Sequence, residues 1–320
     1  MEMNLLSDLA LILISAGIVT IIFKLLKQPL VLGYIVAGFL VGPHFDLFPT
    51  IIEKESVHQW SEIGIIFLMF TLGLEFSFKK LFKVGASAFL TAGAGILLTF
   101  CISFLVGIMM NWSFMESIFL GGMLSISSTT IIIKAFDDLK ITKQRFSDLT
   151  LVVLILQDLV AIIMMVMLST AAVSQKFSGS EMFGSIMKLL FFLVLWFVIG
   201  IAIIPSFFRR TKKYVNDETL LIISIGLCFG MVTFANYVGF SSALGAFVMG
   251  SILSETVEGP HIEKMTQSIK NLFGSIFFVS VGMMVDPKVL GEYWFPILIL
   301  TLLTIFGKTI FNMAGALLSG

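Results

Sequence analysis

The sequence predicts an all-α polytopic membrane protein, and three observations carry that prediction. Of the 320 residues, 58% are hydrophobic and 12% are charged, with a mean hydropathy of +1.06. A soluble domain carries about 25% charged residues. Apolar runs recur along the whole chain, punctuated by charge clusters and by Gly and Pro. Two motifs also recur in the same order, at offsets of 212 and 209 residues.

The runs define eleven candidate helices: 5–26, 29–43, 60–78, 85–110, 114–135, 148–171, 184–208, 217–237, 240–255, 266–285 and 293–318. The uncharged run 219–254 has 36 residues, nearly twice the ~20 that one crossing needs. It must fold back, and "NYVGFSS" (236–242) holds the turn-forming residues for the break. The second and ninth helices are short, which suits tilted, broken or re-entrant segments. The start, "MEMNLLSDLA", lacks a basic region and a small-residue cleavage site, so it reads as the beginning of the first helix.

Lys and Arg set the orientation. Fifteen fall on one side of this arrangement: Lys24, Lys27, Lys79, Lys80, Lys83, Lys134, Lys140, Lys143, Arg145, Arg209, Arg210, Lys212, Lys213, Lys264 and Lys270. Four fall on the other: Lys54, Lys176, Lys188 and Lys288. The N-terminus is therefore expected outside and residue 320 at the cytoplasmic side. Dropping one crossing would scramble the asymmetry.

Other function classes find no support. The net charge is zero, so nothing points to nucleic acid. Cys101 and Cys228 sit in apolar runs without metal-ligand spacing and read as packing residues. Phosphate-binding glycine loops, zinc spacings and Ser-His-Asp sets are absent from the sequence. His44, His58 and His261 lie in or beside predicted loops and do not cluster.

The repeat pairs "LGYIVAG" (32–38) with "LGAFVMG" (244–250), and "FTLGLEF" (70–76) with "SVGMMVD" (280–286) aligned on Gly73 and Gly282. These pairs lie on helices of opposite direction, so the repeat is inverted, and 184–208 is the linker. Inverted repeats are a transporter signature, because they let one site be reached from either face. The candidate helices 114–135 and 148–171 have no mates before residue 320. Their mates are expected near 325–380, so the chain is expected to hold eleven helices of a thirteen-helix unit.

Polar residues at membrane depth mark the chemistry. Asp158, in "LVVLILQDLVAIIMMVML", lies about ten residues from each end of its helix. A charge there costs on the order of 2.5–3.5 kcal/mol, and such residues face a protein interior or a water-filled cavity. A desolvated carboxylate takes up a proton more readily, so Asp158 either exchanges a proton for a cation or is a buried, protonated acid bonded to a neighbouring helix. Gln157, beside it, offers a neutral carbonyl oxygen and two donors. It either ligands the cation and orients Asp158, or bonds between helices.

The segment "SISSTT" (125–130), including Ser127, Ser128, Thr129 and Thr130, sits near the middle of its helix. Its hydroxyls either satisfy the backbone of an unwound crossover or bond back within an intact helix. Lys308 lies about fifteen residues into the last helix. It is a candidate charge partner for a carboxylate or for freed carbonyls; the alternative is snorkelling. Glu75 lies near the cytoplasmic end of its helix and reads as interfacial or as an ion-pathway gate.

The order "QPLVLGYIVAGFLVGP", "EIGIIFLMFTLGLEFSF", "SISSTTIII", "LQDLVAI" and "FFVSVGMMVD" resembles the Kef-type branch of the monovalent cation:proton antiporters, within the sodium/hydrogen exchanger superfamily, over essentially all of 1–320. The resemblance implies a thirteen-helix, NhaA-like fold of inverted repeats with crossing broken helices. It implies scaffold or dimerisation helices at about 1–78 and 217–285. Core helices, moving like an elevator, would lie at about 85–171 and 293–320. By matching motif it maps the ion and proton site to Gln157 and Asp158, the crossover to residues 127–130, and the core-helix lysine to Lys308. Many members are homodimers with a C-terminal nucleotide-binding regulatory domain, which is not in these 320 residues.

The expected function is exchange of K⁺ or Na⁺ for H⁺ across the cytoplasmic membrane, the monovalent cation binding at Asp158. No cofactor and no enzymatic activity are expected. A cation channel lined by Asp158 and the hydroxyls is the alternative. An intramembrane aspartyl protease would need two carboxylates sharing a site, and the sequence offers one at mid-membrane depth.

Overall fold

The computed structural model describes residues 3–43, 54–75, 86–128, 179–211 and 214–318, and single positions between 132 and 164. Every regular element among them is helical, and they divide into two compact units.

The first unit comprises residues 1–77 and 169–289. It holds α1 (Met3–Leu25), α2 (Leu30–Val41), α3 (Lys54–Glu75), α6 (Gly179–Thr211), α7 (Asp217–Val238), α8 (Ser242–Ser254) and α9 (Gly259–Met283). α3 is central and packs on α8 and α9; α9 packs on α2 and α1, and α8 on α7 and α6. Apolar side chains from α1, α2 and α9 interdigitate, with Ile12, Ala37, Ile276 and Val279 essentially sealed. Phe67 stacks on Phe273 at 4.6 Å between α3 and α9.

The break predicted within 219–254 is present. α7 ends at Gly239, whose φ of 92° is a left-handed conformation that glycine adopts without strain. α8 then starts behind Ser241, whose hydroxyl accepts from the Leu244 N–H. α2 and α8 have 12 and 13 residues. At 1.5 Å per residue each is about 20 Å long, short of the ~30 Å hydrocarbon layer.

Two helices begin earlier than their apolar runs. α3 starts at Lys54 rather than near 60, and α9 at Gly259 rather than near 266. Hydropathy misses such polar first turns, whereas Pro260 at the start of α9 presets the helical φ. α6 has 33 residues and an internal Pro205. It outruns its predicted span 184–208 at both ends for the same reason.

The second unit comprises residues 78–168 and 290–320. It holds α4 (Ala86–Met109), α5 (Phe114–Ser125), α11 (Trp294–Leu302), a π-helical turn (Leu303–Gly307) and α12 (Lys308–Leu318); the short α10 (Pro287–Glu292) straddles the boundary. α5 returns antiparallel to α4 after a turn at Asn111, φ 60°. A reciprocal cap starts it: Ser113 Oγ accepts from the Glu116 N–H, and the Glu116 carboxylate accepts from the Ser113 N–H at 2.8 Å. α12 packs along α4.

Five described helices are long and apolar enough to cross a membrane: Leu6–Leu25, Phe89–Met109, Phe191–Thr211, Asp217–Val238 and Trp294–Leu317. Leu30–Val41, Phe114–Ser125 and Ser242–Ser254 are shorter apolar helices. The chain is a multi-pass membrane protein.

Candidate functional site: a broken helix closed by a lysine

α5 stops in the middle of its apolar run. Ile126 turns extended, with ψ 150°, and its N–H reaches back only to Met123 O, at 3.5 Å. Residues 126–128 are not helical; among the described residues, an i to i−4 bond runs from Ile132 N to Ser128 O, at 3.2 Å. The candidate helix 114–135 is thus interrupted at its hydroxyl-rich segment. Ser125, the last helical residue, donates from Oγ to Gly121 O at 2.6 Å and also lies 3.3 Å from Ile96 O of α4.

An interrupted helix leaves carbonyls unpaired and carries the negative end of its dipole. Lys308 meets both needs. Its Nζ donates to Ile126 O and to Ser127 Oγ, the latter at 3.1 Å. The half-buried Lys308 Nζ therefore sits on the C-terminal end of α5. The π-helical turn immediately before it, closed by the Lys308 N–H on Leu303 O, adds one residue to that turn and sets the face from which Lys308 projects.

Asp158 and Gln157 are helical and belong to the same compact unit as Ser127 and Lys308. Asp158 is half-buried. Gln157 is 3% exposed, and its Oε1 has no hydrogen-bond partner among the described residues. A buried carboxamide oxygen without a donor can accept from a water or coordinate a cation. Ser128 is exposed; Thr129 and Thr130 lie outside the described residues.

Glu75 is in the other unit, where it ends α3 and accepts from Lys270 Nζ of α9 at 2.6 Å. Among the described residues no group of three or more His, Cys, Asp and Glu side chains is arranged to hold a metal ion. Cys101 and Cys228 are free thiols.

Three polar features escaped the sequence reading. Asn312, one turn beyond Lys308, buries an Oδ1 that has no hydrogen-bond partner among the described residues. Its signal was the four-residue spacing from Lys308. Asp8 is buried in α1 at 8% exposure. His261 is in the first turn of α9, beside the preceding loop, and its Nε2 lies 2.9 Å from Asp217 Oδ1. Only the fold brings residues 217 and 261 together. His58 is exposed on α3, and His44 lies outside the described residues.

An all-helical membrane protein with an internal inverted repeat, one helix broken at mid-span and a lysine seated on the break belongs to the secondary-transporter class. Residues 10–320 match the family described as sodium/hydrogen exchanger, transmembrane. The chain belongs to that family, in its Kef-type branch. It is 30% identical to the K(+)/H(+) antiporter subunit KhtU of Bacillus subtilis, over 99% of this chain and 79% of that protein. It is 31% identical to K(+) efflux antiporter 5 of Arabidopsis thaliana, over 96% of this chain but 55% of that protein, so it spans about half the length of the plant relative. Its fold resembles the sodium proton antiporter MjNhaP1 of Methanocaldococcus jannaschii, with a TM-score of 0.73 at 18% identity, over 99% of this chain and 78% of that one.

Proposed function

We propose that the protein is a secondary antiporter that exchanges K⁺ or Na⁺ for H⁺ across the cytoplasmic membrane. The observation that carries this reading is the lysine-closed break in α5, in the same compact unit as Asp158. A broken helix offers carbonyls to an ion. The lysine keeps the break from collapsing, and a membrane-depth carboxylate alternates between cation and proton.

Asp158 is the exchanging group. Gln157 contributes its unpartnered oxygen, and Ser127, Ser128, Thr129 and Thr130 supply hydroxyls at the crossover. Lys308 holds the crossover open, and Glu75, latched to Lys270, gates the cytoplasmic end of α3. The unit of residues 78–168 and 290–320 is the moving core, and the unit of residues 1–77 and 169–289 is the scaffold. The core carries the site across as an elevator, the N-terminus lies outside and the protein works as a homodimer. The names of the relatives, K(+)/H(+) antiporter subunit and K(+) efflux antiporter, support the same ion pair.

The test is a proteoliposome carrying the full-length protein and an internal pH dye. An imposed K⁺ or Na⁺ gradient should drive a saturable pH change that Asp158→Asn abolishes. Cation flux without proton counter-flux would instead support a channel.

A further inference from the structure

We propose that the Asn312 side-chain oxygen is a second cation ligand, placed one helical turn from the Lys308-closed crossover. The inference rests on the antiport reading above and adds a specificity-determining residue to it.

Asn312 follows Lys308 by four residues on α12, so the two share a face and are separated by about 6 Å along the axis. The π-helical turn ahead of Lys308 sets that face. Across from it stands Gly95 of α4. A Cβ added there would run into Asn312 Oδ1 and lie 3.4 Å from its Cγ. Gly95 thus leaves room for the carboxamide, and any larger residue would push it aside.

Oδ1 is buried without a hydrogen-bond partner among the described residues. Nearby donors among the described residues serve other acceptors. Thr99 donates from Oγ1 to Gly95 O at 2.7 Å, Ser125 Oγ serves Gly121 O and Ile96 O, and Lys308 Nζ serves Ile126 O and Ser127 Oγ. A native protein rarely leaves such an acceptor empty. An amide oxygen of this kind accepts from a donor or water, or coordinates a cation. A monovalent cation with part of its hydration shell offers both the charge and the water. The amide oxygen is a neutral ligand, so it takes the ion without adding charge to the cycle. With residue 320 on the cytoplasmic side, Asn312 is the station a cation meets before the crossover.

The experiment compares wild type, Asn312→Leu, Asn312→Asp and Gly95→Ala in the full-length protein. K⁺ and Na⁺ half-saturation are read in liposomes at fixed pH, and proton half-saturation at fixed cation. Asn312→Leu keeps the volume and removes the oxygen; it should raise the cation half-saturation about tenfold, the scale of one lost polar contact. Proton half-saturation should stay unchanged. Asn312→Asp should restore or tighten cation affinity, and Gly95→Ala should raise the half-saturation part of the way.

Unchanged cation half-saturation in Asn312→Leu overturns the inference. If that variant does not fold, unchanged half-saturation in Gly95→Ala overturns it. If wild type shows no exchange, the antiport reading fails instead. Thermal stabilisation by K⁺ or Na⁺ in detergent, wild type against Asn312→Leu, then decides the ligand question alone: equal stabilisation counts against it.

Discussion

Gly73 of α3 and Gly250 of α8 meet backbone to backbone: a Cβ on either would lie 3.0 Å from the other's Cα. The same relationship holds between Gly38 of α2 and Gly282 of α9, where a Cβ on Gly38 would lie 3.0 Å from the Gly282 Cα. The repeat aligns Gly38 with Gly250 and Gly73 with Gly282. A two-fold operation that exchanges the mates therefore turns one contact into the other. In lipid, where tails are as apolar as leucine, close backbone approach is what holds helices together.

The first prediction follows from that contact. Gly73→Ala and Gly250→Ala should each destabilise the protein by about 1–3 kcal/mol, because the obstacle is backbone and cannot rotate away. Gly38→Ala and Gly282→Ala should cost about as much. Gly226→Ala is the control, since nothing lies within 4 Å of a Cβ there. Melting in detergent, followed by fluorescence-detected gel filtration, reads all five. Equal melting of Gly250→Ala and Gly226→Ala would contradict the close approach.

Much of the fold was legible because lipid leaves few ways to write a helix. Long apolar runs and the glycine motifs follow from backbone satisfaction and close packing. The interruption of α5 was legible as an alternative, through the hydroxyls at 125–130. The Lys308 partners were not, because Ile126 lies 182 positions away and offers only a backbone carbonyl, which carries no residue-type signal. The polar start of α3 was missed for a related reason: "KESVHQ" looks like a loop until its helix is propagated backward from the apolar turns.

The second prediction separates support from chemistry at the crossover. Lys308→Ala removes the donor to both Ile126 O and Ser127 Oγ. It leaves a partly buried carbonyl unpaired, a loss of about 1 kcal/mol or more. Ser127→Ala leaves the carbonyl bond intact and should cost less than Lys308→Ala. Melting temperatures of the two variants give the order. Should Ser127→Ala prove the more damaging, the lysine does not hold the break through the carbonyl.

The third prediction concerns Glu75 and Lys270, paired at 2.6 Å on the first unit. Both side chains are partly exposed, so the pair adds little to stability. Glu75→Gln should leave melting almost unchanged. As a gate, the pair should affect rate: the variant should alter the maximal exchange rate more than the cation half-saturation. If only stability moves, the pair is a structural latch.

The fourth prediction comes from counting charge. Suppose Asp158 is the sole titrating group of the cycle. It crosses one way with a cation and returns with a proton, so both legs move the same charge and the exchange is electroneutral. Gln157, being neutral, adds nothing; an acid at that position would let two protons return per cation. That would expose the cycle to roughly 2.3 kcal/mol per net charge per 100 mV. Lys308 is the competing group, since a lysine that gave up its proton during the cycle would supply the second charge. Its Nζ is held on Ile126 O and Ser127 Oγ, two acceptors that either form of the amine can serve. The measurement is the flux reversal point at fixed ion gradients, in liposomes whose voltage is set without valinomycin. Electroneutral exchange keeps that point where it is as voltage changes. A shift with voltage would remove the one-acid account and make Lys308 the second titrating group; Lys308→Ala should then abolish the shift.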